Sequence, residues 1–199
     1  MISNVTAFLD LSKKPFILYP HPQKDELLSS WLVRVALAHD TKPWSFYNMH
    51  FPKYKNIIFS RDLDIWAPKD LLDKLVWKSR YTYEQIYNLT LRSDIGTLIS
   101  EFNPSGCNKY FTYIKNRGRS NQLYGQKYCP ICLKEDEYPY FRKQWRLKGI
   151  MKCKKHNISL SDRCPSCGIP ISIYKFNKEG FGFTRCWKCG FNILRSTEH

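Results

Sequence analysis

Four pairs of potential metal ligands crowd the C-terminal part of the chain: Cys129-Pro-Ile-Cys132, Cys153-Lys-Lys-His156, Cys164-Pro-Ser-Cys167 and Cys186-Trp-Lys-Cys189. In each pair two residues separate the ligands, so both side chains reach one ion while the intervening backbone N–H groups face the sulfurs. Gly168 and Gly190 follow two of the pairs, where such a turn wants a positive φ, and Pro130 and Pro165 pre-set the bend. Eight ligands complete two tetrahedral sites. The simplest assignment is sequential. Cys129, Cys132, Cys153 and His156 form a site of three cysteines and one histidine with 20 residues between its knuckles, and Cys164, Cys167, Cys186 and Cys189 form an all-cysteine site with 18 between. Each reads as a zinc ribbon. An interleaved arrangement, Cys129/Cys132 with Cys164/Cys167, stays open. A thiol–disulfide centre explains one C-x-x-C pair and leaves the other three without a reason.

A zinc ion held by four protein ligands has no position left for water, so the expected chemistry is structural: two Zn²⁺ fold a segment poor in apolar residues and catalyse nothing. Enzyme motifs agree. H-x-E before P-C-x-x-C, H-E-x-x-H and G-x-x-x-x-G-K-[ST] are all absent from the sequence. His156-Asn157 lacks the further histidines of a metal-dependent nuclease, and Glu135-Asp136-Glu137 reads as a solvated acidic run. The chain is therefore expected to be no enzyme. The eighth cysteine, Cys107, precedes the knuckles with no partner at short spacing and reads as an ordinary thiol.

The 199 residues suit one compact unit or two small ones. Apolar residues make up 43%, enough for a core, yet no run of eighteen apolar residues exists to span a membrane. No secretory signal opens the chain, so the cysteines are expected in a reducing cytoplasm, where metal ligation outweighs disulfides. The formal net charge of +15 points to an anionic partner, nucleic acid or nucleoprotein. Residues 1–127 carry 18 basic and 11 acidic side chains, and residues 128–199 carry 14 and 6. Charge spread in this way favours backbone contact over base reading.

The elements that carry the knuckles begin with an extended N-terminal stretch punctuated by Pro15, Pro20 and Pro22. Asp25 to His39 reads as a helix with Asp25 as N-cap, and Leu27, Leu28, Trp31, Leu32, Val35 and Ala38 on one face. Pro43 opens a second helix that Pro52 stops, giving the spacing of a helix-turn-helix. Pro68 starts another helix. Thr82 and Gln85 form a capping box for a helix running to about Arg92, and Ile95 to Phe102 suggest one more. Beyond the knuckles, Ile169–Phe176 and Phe181–Arg185 supply β-type residues. The fold class is thus expected to be α+β. Residues 1–102 would form a helical, helix-turn-helix-like domain, 103–127 a basic aromatic linker, and 128–199 a tandem zinc-ribbon region. Phe141 and Trp145 are expected in the core.

No acidic residue lies between Asn103 and Lys127, while Lys109, Lys115, Arg117, Arg119 and Lys127 alternate with aromatics. This is the best local candidate for contact with phosphates and bases, and a solvated linker whose aromatics pack onto both halves is the other reading of it. Arg34 and Lys42, on the helix-turn-helix segment, are the expected partner-facing residues.

Several segments together resemble the TniQ/TnsD family. They are Tyr19-Pro-His-Pro-Gln-Lys-Asp-Glu-Leu-Leu-Ser-Ser-Trp-Leu-Val-Arg, Tyr128-Cys-Pro-Ile-Cys-Leu, Tyr140-Phe-Arg-Lys-Gln-Trp-Arg-Leu, Cys153-Lys-Lys-His-Asn-Ile-Ser-Leu and Cys164-Pro-Ser-Cys-Gly. The resemblance implies an adaptor that selects transposition target sites in the bacterial cytoplasm. Its implied partners are an AAA+ transposition ATPase, together with target DNA held by mostly nonspecific contacts or an RNA-guided CRISPR effector. The sequence ends ten residues past Cys189, so it either resembles the short TniQ type or is a piece of a longer member. The alternative class is a stand-alone zinc-ribbon/helix-turn-helix DNA-binding regulator.

Overall fold

A computed structural model describes residues 10–94, 109–114, 124–175 and 182–195. The N-terminal half is helical: α1 (Leu28–Ala38), α2 (Pro43–His50), α3 (Lys55–Ser60), α4 (Leu63–Trp66), α5 (Lys69–Ser79) and α6 (Tyr83–Tyr87), with α7 (Pro130–Glu135) in the metal region. No helix among the described residues is long and apolar enough to cross a membrane. Pro43, Pro68 and the Thr82–Gln85 pair act where expected. Pro43 occupies the first turn of α2, Pro68 stands at the N-cap of α5, and Thr82 and Gln85 cap α6 reciprocally at 3.2 and 2.9 Å.

Three readings need correction. Asp25 does not cap α1. It has φ 60, and the N-cap is Leu27, with no side-chain bond. The chain at 25–27 pairs with 141–143 instead: Lys143 N–H donates to Asp25 O at 2.7 Å, Leu27 N–H donates to Phe141 O at 3.0 Å, and Glu26 bridges Arg142. A long-range pairing has displaced a local cap. The helix expected to reach Arg92 stops at Tyr87, and a 3₁₀ turn covers Leu91–Asp94, because Leu89 O accepts from Leu28 N–H at 2.8 Å. The β-type stretches 169–176 and 181–185, of which 176 and 181 lie outside the described residues, contribute single bridges at Pro170 and Arg185 rather than extended strands. Among the described residues β-pairing is limited to isolated bridges, so the helical half is observed and an α+β class is not. The helix expected at Ile95–Phe102 and the thiol of Cys107 lie outside the described residues.

The first of two apolar cores packs Trp31, Leu32, Phe46, Phe51, Leu72 and their neighbours inside the helical half. Phe16, from the extended N-terminal stretch, joins it. The second draws Leu27, Val33, Ile65 and Leu91 from the helices onto Phe111, Tyr128, Phe141, Trp145, Phe183 and the ligand cysteines. The metal region therefore shares its apolar interior with the helices.

Polar clamps reinforce that shared interior. The buried Arg146 guanidinium donates to Asp64 at 3.0 Å, to Asp62, and to Thr112 O at 3.1 and 2.8 Å. Asp64 also accepts from Ser29 N–H and Oγ–H of α1, both at 2.8 Å, and Asp62 accepts from Ile114 N–H at 3.0 Å. Burial raises the Asp64 carboxyl above its usual range even with Arg146 beside it. Arg142 clamps Asp136 with two bonds, at 3.0 and 2.6 Å, and its guanidinium lies over the Tyr140 and Trp145 rings at 4.2 and 4.8 Å. Lys143 reaches Asp94 at 2.7 Å. The aromatic-Arg-Trp segment thus ties the metal region to the helices.

Candidate metal centres

The first centre is built by a helical knuckle and a loop knuckle. Cys129 is the N-cap of α7, with Pro130 in the first turn, and this places Cys132 on the same side. The second knuckle turns back on itself: Asn157 N–H donates to Cys153 O and Cys153 N–H to Ile158 O, both at 2.8 Å. Asn157 takes φ 52, the position a glycine fills in the other loops.

The second centre uses that loop twice. Gly168 N–H donates to Cys164 O, and Gly190 N–H to Cys186 O, both at 2.9 Å, with the glycines at φ 68 and 74. The preceding basic residues repeat as well. Arg163 Nη1 donates to Gly168 O at 3.1 Å, and Arg185 Nη1 to Gly190 O at 3.2 Å. A [K/R]-C-x-x-[C/H]-[G/N] repeat at 152, 163 and 185 was readable in the sequence and marks one recurring loop geometry.

The ligand atoms gather as two sets, Cys129/Cys132/Cys153/His156 and Cys164/Cys167/Cys186/Cys189, each within 4.8 Å mutually. The grouping is sequential and not interleaved. In the first set His156 Nδ1 lies 3.4, 3.3 and 3.6 Å from the sulfurs of Cys129, Cys132 and Cys153, and the Cys132 and Cys153 sulfurs are 3.5 Å apart. In the second, Cys164 and Cys189 are 3.6 Å apart and Cys167 and Cys186 3.8 Å. A tetrahedral ion with bonds of ~2.3 Å to sulfur and ~2.0 Å to nitrogen sets ligand separations of about 3.5–3.8 Å, so both sets fit one.

The thiols within each centre differ in acidity. Burial pushes the Cys132 thiol well above its ordinary value and that of Cys164 up to about 12. Burial also opposes the Cys153 thiolate, but N–H and S–H donors around it bring its pKa to about 7. At Cys189 the backbone N–H of Phe191 leads the same effect, again to about 7. Each group holds protons among crowded sulfurs that a dication replaces. Around the first centre, Glu135 Oε2 lies 3.0 Å from His156 Nε2 and accepts from Lys155 Nζ at 2.6 Å. The Glu135-Asp136-Glu137 run is thus not only a solvated face, since Asp136 is clamped by Arg142.

With this geometry in place, comparison with known proteins has a clear result. The TniQ family model matches residues 17–160. The chain belongs to the TniQ family. TniQ proteins are associated with target selection in transposition and act in general as adaptors without catalysis. The TniQ match takes in the helical half and the whole first centre, and it ends before Cys164. No curated protein matches the chain.

The remaining expected residues divide. Lys115, Arg117 and Arg119 lie outside the described residues. Lys109 is exposed beside the Tyr110 ring, at 5.9 Å. Lys127 is half-buried, and its ammonium donates to Leu147 O and Ile150 O at 2.9 and 2.8 Å; burial lowers its pKa. Its charge is committed to the chain's own backbone. Arg34, expected to face a partner, is instead inside the fold. It is 8% exposed and pairs with Glu26 at 2.7 Å, because the chain entering α1 folds back over it and supplies His21 O at 3.2 Å. Lys42 is exposed at the start of α2.

Proposed function

We propose that this TniQ protein is a zinc-stapled adaptor that links an AAA+ transposition ATPase to target DNA or to an RNA-guided CRISPR effector. The family match over residues 17–160 carries this reading. Cys129, Cys132, Cys153 and His156 hold one Zn²⁺, and Cys164, Cys167, Cys186 and Cys189 hold a second. Thiolate and imidazole donors at tetrahedral spacing suit zinc. Two fully ligated ions supply shape only, and the chain performs no reaction. Residues 128–199 then act as two zinc ribbons, the helical part at 1–102 meets protein partners, and the basic stretch at 103–127 contacts nucleic acid without strong sequence preference. Pull-down of the purified protein with the ATPase assembled on DNA tests the proposal. Retention at low salt is the expected result. Clean separation from the ATPase, together with sequence-specific DNA binding by the protein alone, points to a stand-alone regulator instead.

A further inference from the structure

Residues 163–195 hold six basic side chains and one acidic, Glu179. Within this stretch a small cleft lies beside the second metal centre. Phe141 and Phe183, with ring centroids 4.7 Å apart, form part of its floor, and Ser172, Lys175, Arg185 and Trp187 line it. Its free space is about 10 Å³, room for a single oxygen-sized atom. Ser172 is 7% exposed, and its Oγ has no hydrogen-bond partner among the described residues. A buried hydroxyl in that state is costly unless an acceptor at the cleft takes a hydrogen bond from it. Lys175 and Arg185 are both exposed at the cleft. The two cations are held in place: Lys175 Nζ sits 4.3 Å from the Trp187 ring centroid, that indole is anchored by donating to Pro170 O at 3.1 Å, and Arg185 Nη1 is fixed on Gly190 O at 3.2 Å.

We infer that this cleft is a phosphate-contact site for a nucleic-acid backbone. One phosphodiester oxygen enters to accept from the Ser172 hydroxyl, while Lys175 and Arg185 neutralise the charge that stays at the mouth. Ordered lysine and arginine donors around a single oxygen suit a phosphodiester, whereas the space is too small for a base or a peptide side chain. The inference rests on the nucleic-acid contact proposed above and adds a site to it, on a centre that the family match does not reach.

The test is fluorescence anisotropy of a labelled DNA duplex across a salt series, using the full chain loaded with metal. Lys175→Gln and Arg185→Gln are expected to weaken binding severalfold and to lower the slope of log K against log salt by about 1 each. Ser172→Ala is expected to weaken binding with the salt slope unchanged. Equal affinity and slope in the triple variant, with metal content intact, overturns the inference. If Arg185→Gln loses metal, the exposed Lys175→Gln variant decides alone. Wild-type protein that binds no DNA removes the nucleic-acid contact proposed above. Wild-type binding with unaffected cleft variants removes this site only. A cleft that takes inorganic phosphate while the variants bind duplex normally is a small-anion site, and that also overturns the assignment.

Discussion

His156 faces the three sulfurs of its centre through Nδ1, and its other ring nitrogen lies 3.0 Å from Glu135 Oε2. With the ring proton on Nε2 donated to that carboxylate, the Nδ1 lone pair is free for a metal ion. Glu135→Ala is therefore expected to weaken metal binding at the first centre by about 10- to 100-fold and to leave the second unchanged. Competition with a chelator, read separately for the two centres through Co²⁺ absorption, checks this. Equal loss at both centres contradicts it.

Arg146 is the next most exacting position. It is 1% exposed and bridges Asp62 and Asp64. Arg146→Met leaves two buried carboxylates side by side and is expected to cost about 3–5 kcal/mol, measured by denaturant unfolding. Adding Asp62→Asn and Asp64→Asn is expected to restore part of the loss, because the uncompensated charge goes with them. No recovery in the triple variant would assign the loss to packing.

These two relationships differ in how far the sequence discloses them. The ligand knuckles are local, since spacing alone brings the sulfurs of Cys164 and Cys167 into one cluster, and the same holds for the Thr82–Gln85 cap. Pairing of whole knuckles needed only nearness along the chain. The Arg146 bridge joins residues 84 and 82 positions apart, and no periodicity encodes that. Asp25 looked like a cap for a local reason and lost that role to a distant one, its contact with Lys143 and Gln144. Arg34 looked exposed because a polar residue on an amphipathic helix usually is, and Glu26 buried it. The β-type stretches show only single bridges among the described residues, Arg163 with Pro170 and Arg185 with Asn192, each closing one tight loop.

A pH effect follows from His50. Its ring accepts from Lys78 Nζ at 3.3 Å, and burial, then Lys78, lowers its pKa from 6.5 to about 4. A depressed histidine contributes stability that is complete above pH 6.5 and is lost as the pH falls toward 4. His50→Asn keeps an acceptor and removes the titration. The stability difference between wild type and this variant is expected to shift by about 1–3 kcal/mol across that window, with the variant less acid-sensitive. Parallel pH profiles would contradict the assignment.

Gly125 tests the backbone approach beneath the metal region. A Cβ there meets Asp162 O at 1.9 Å and Ile171 N at 2.7 Å, both backbone atoms of a segment that pairs with it. Gly125→Ala is expected to destabilise by about 3 kcal/mol in thermal or denaturant unfolding. A neutral result would show that the 124–126 and 162–171 segments separate readily.

Metal stoichiometry by native mass spectrometry, on wild type and on Cys132→Ser and Cys186→Ser, probes the two closed centres most directly. Two zinc ions per chain are expected in the wild type and one in each variant, with X-ray absorption showing sulfur and nitrogen neighbours only. Fewer than two ions, or an oxygen ligand from water on either, would contradict a pair of fully ligated structural sites.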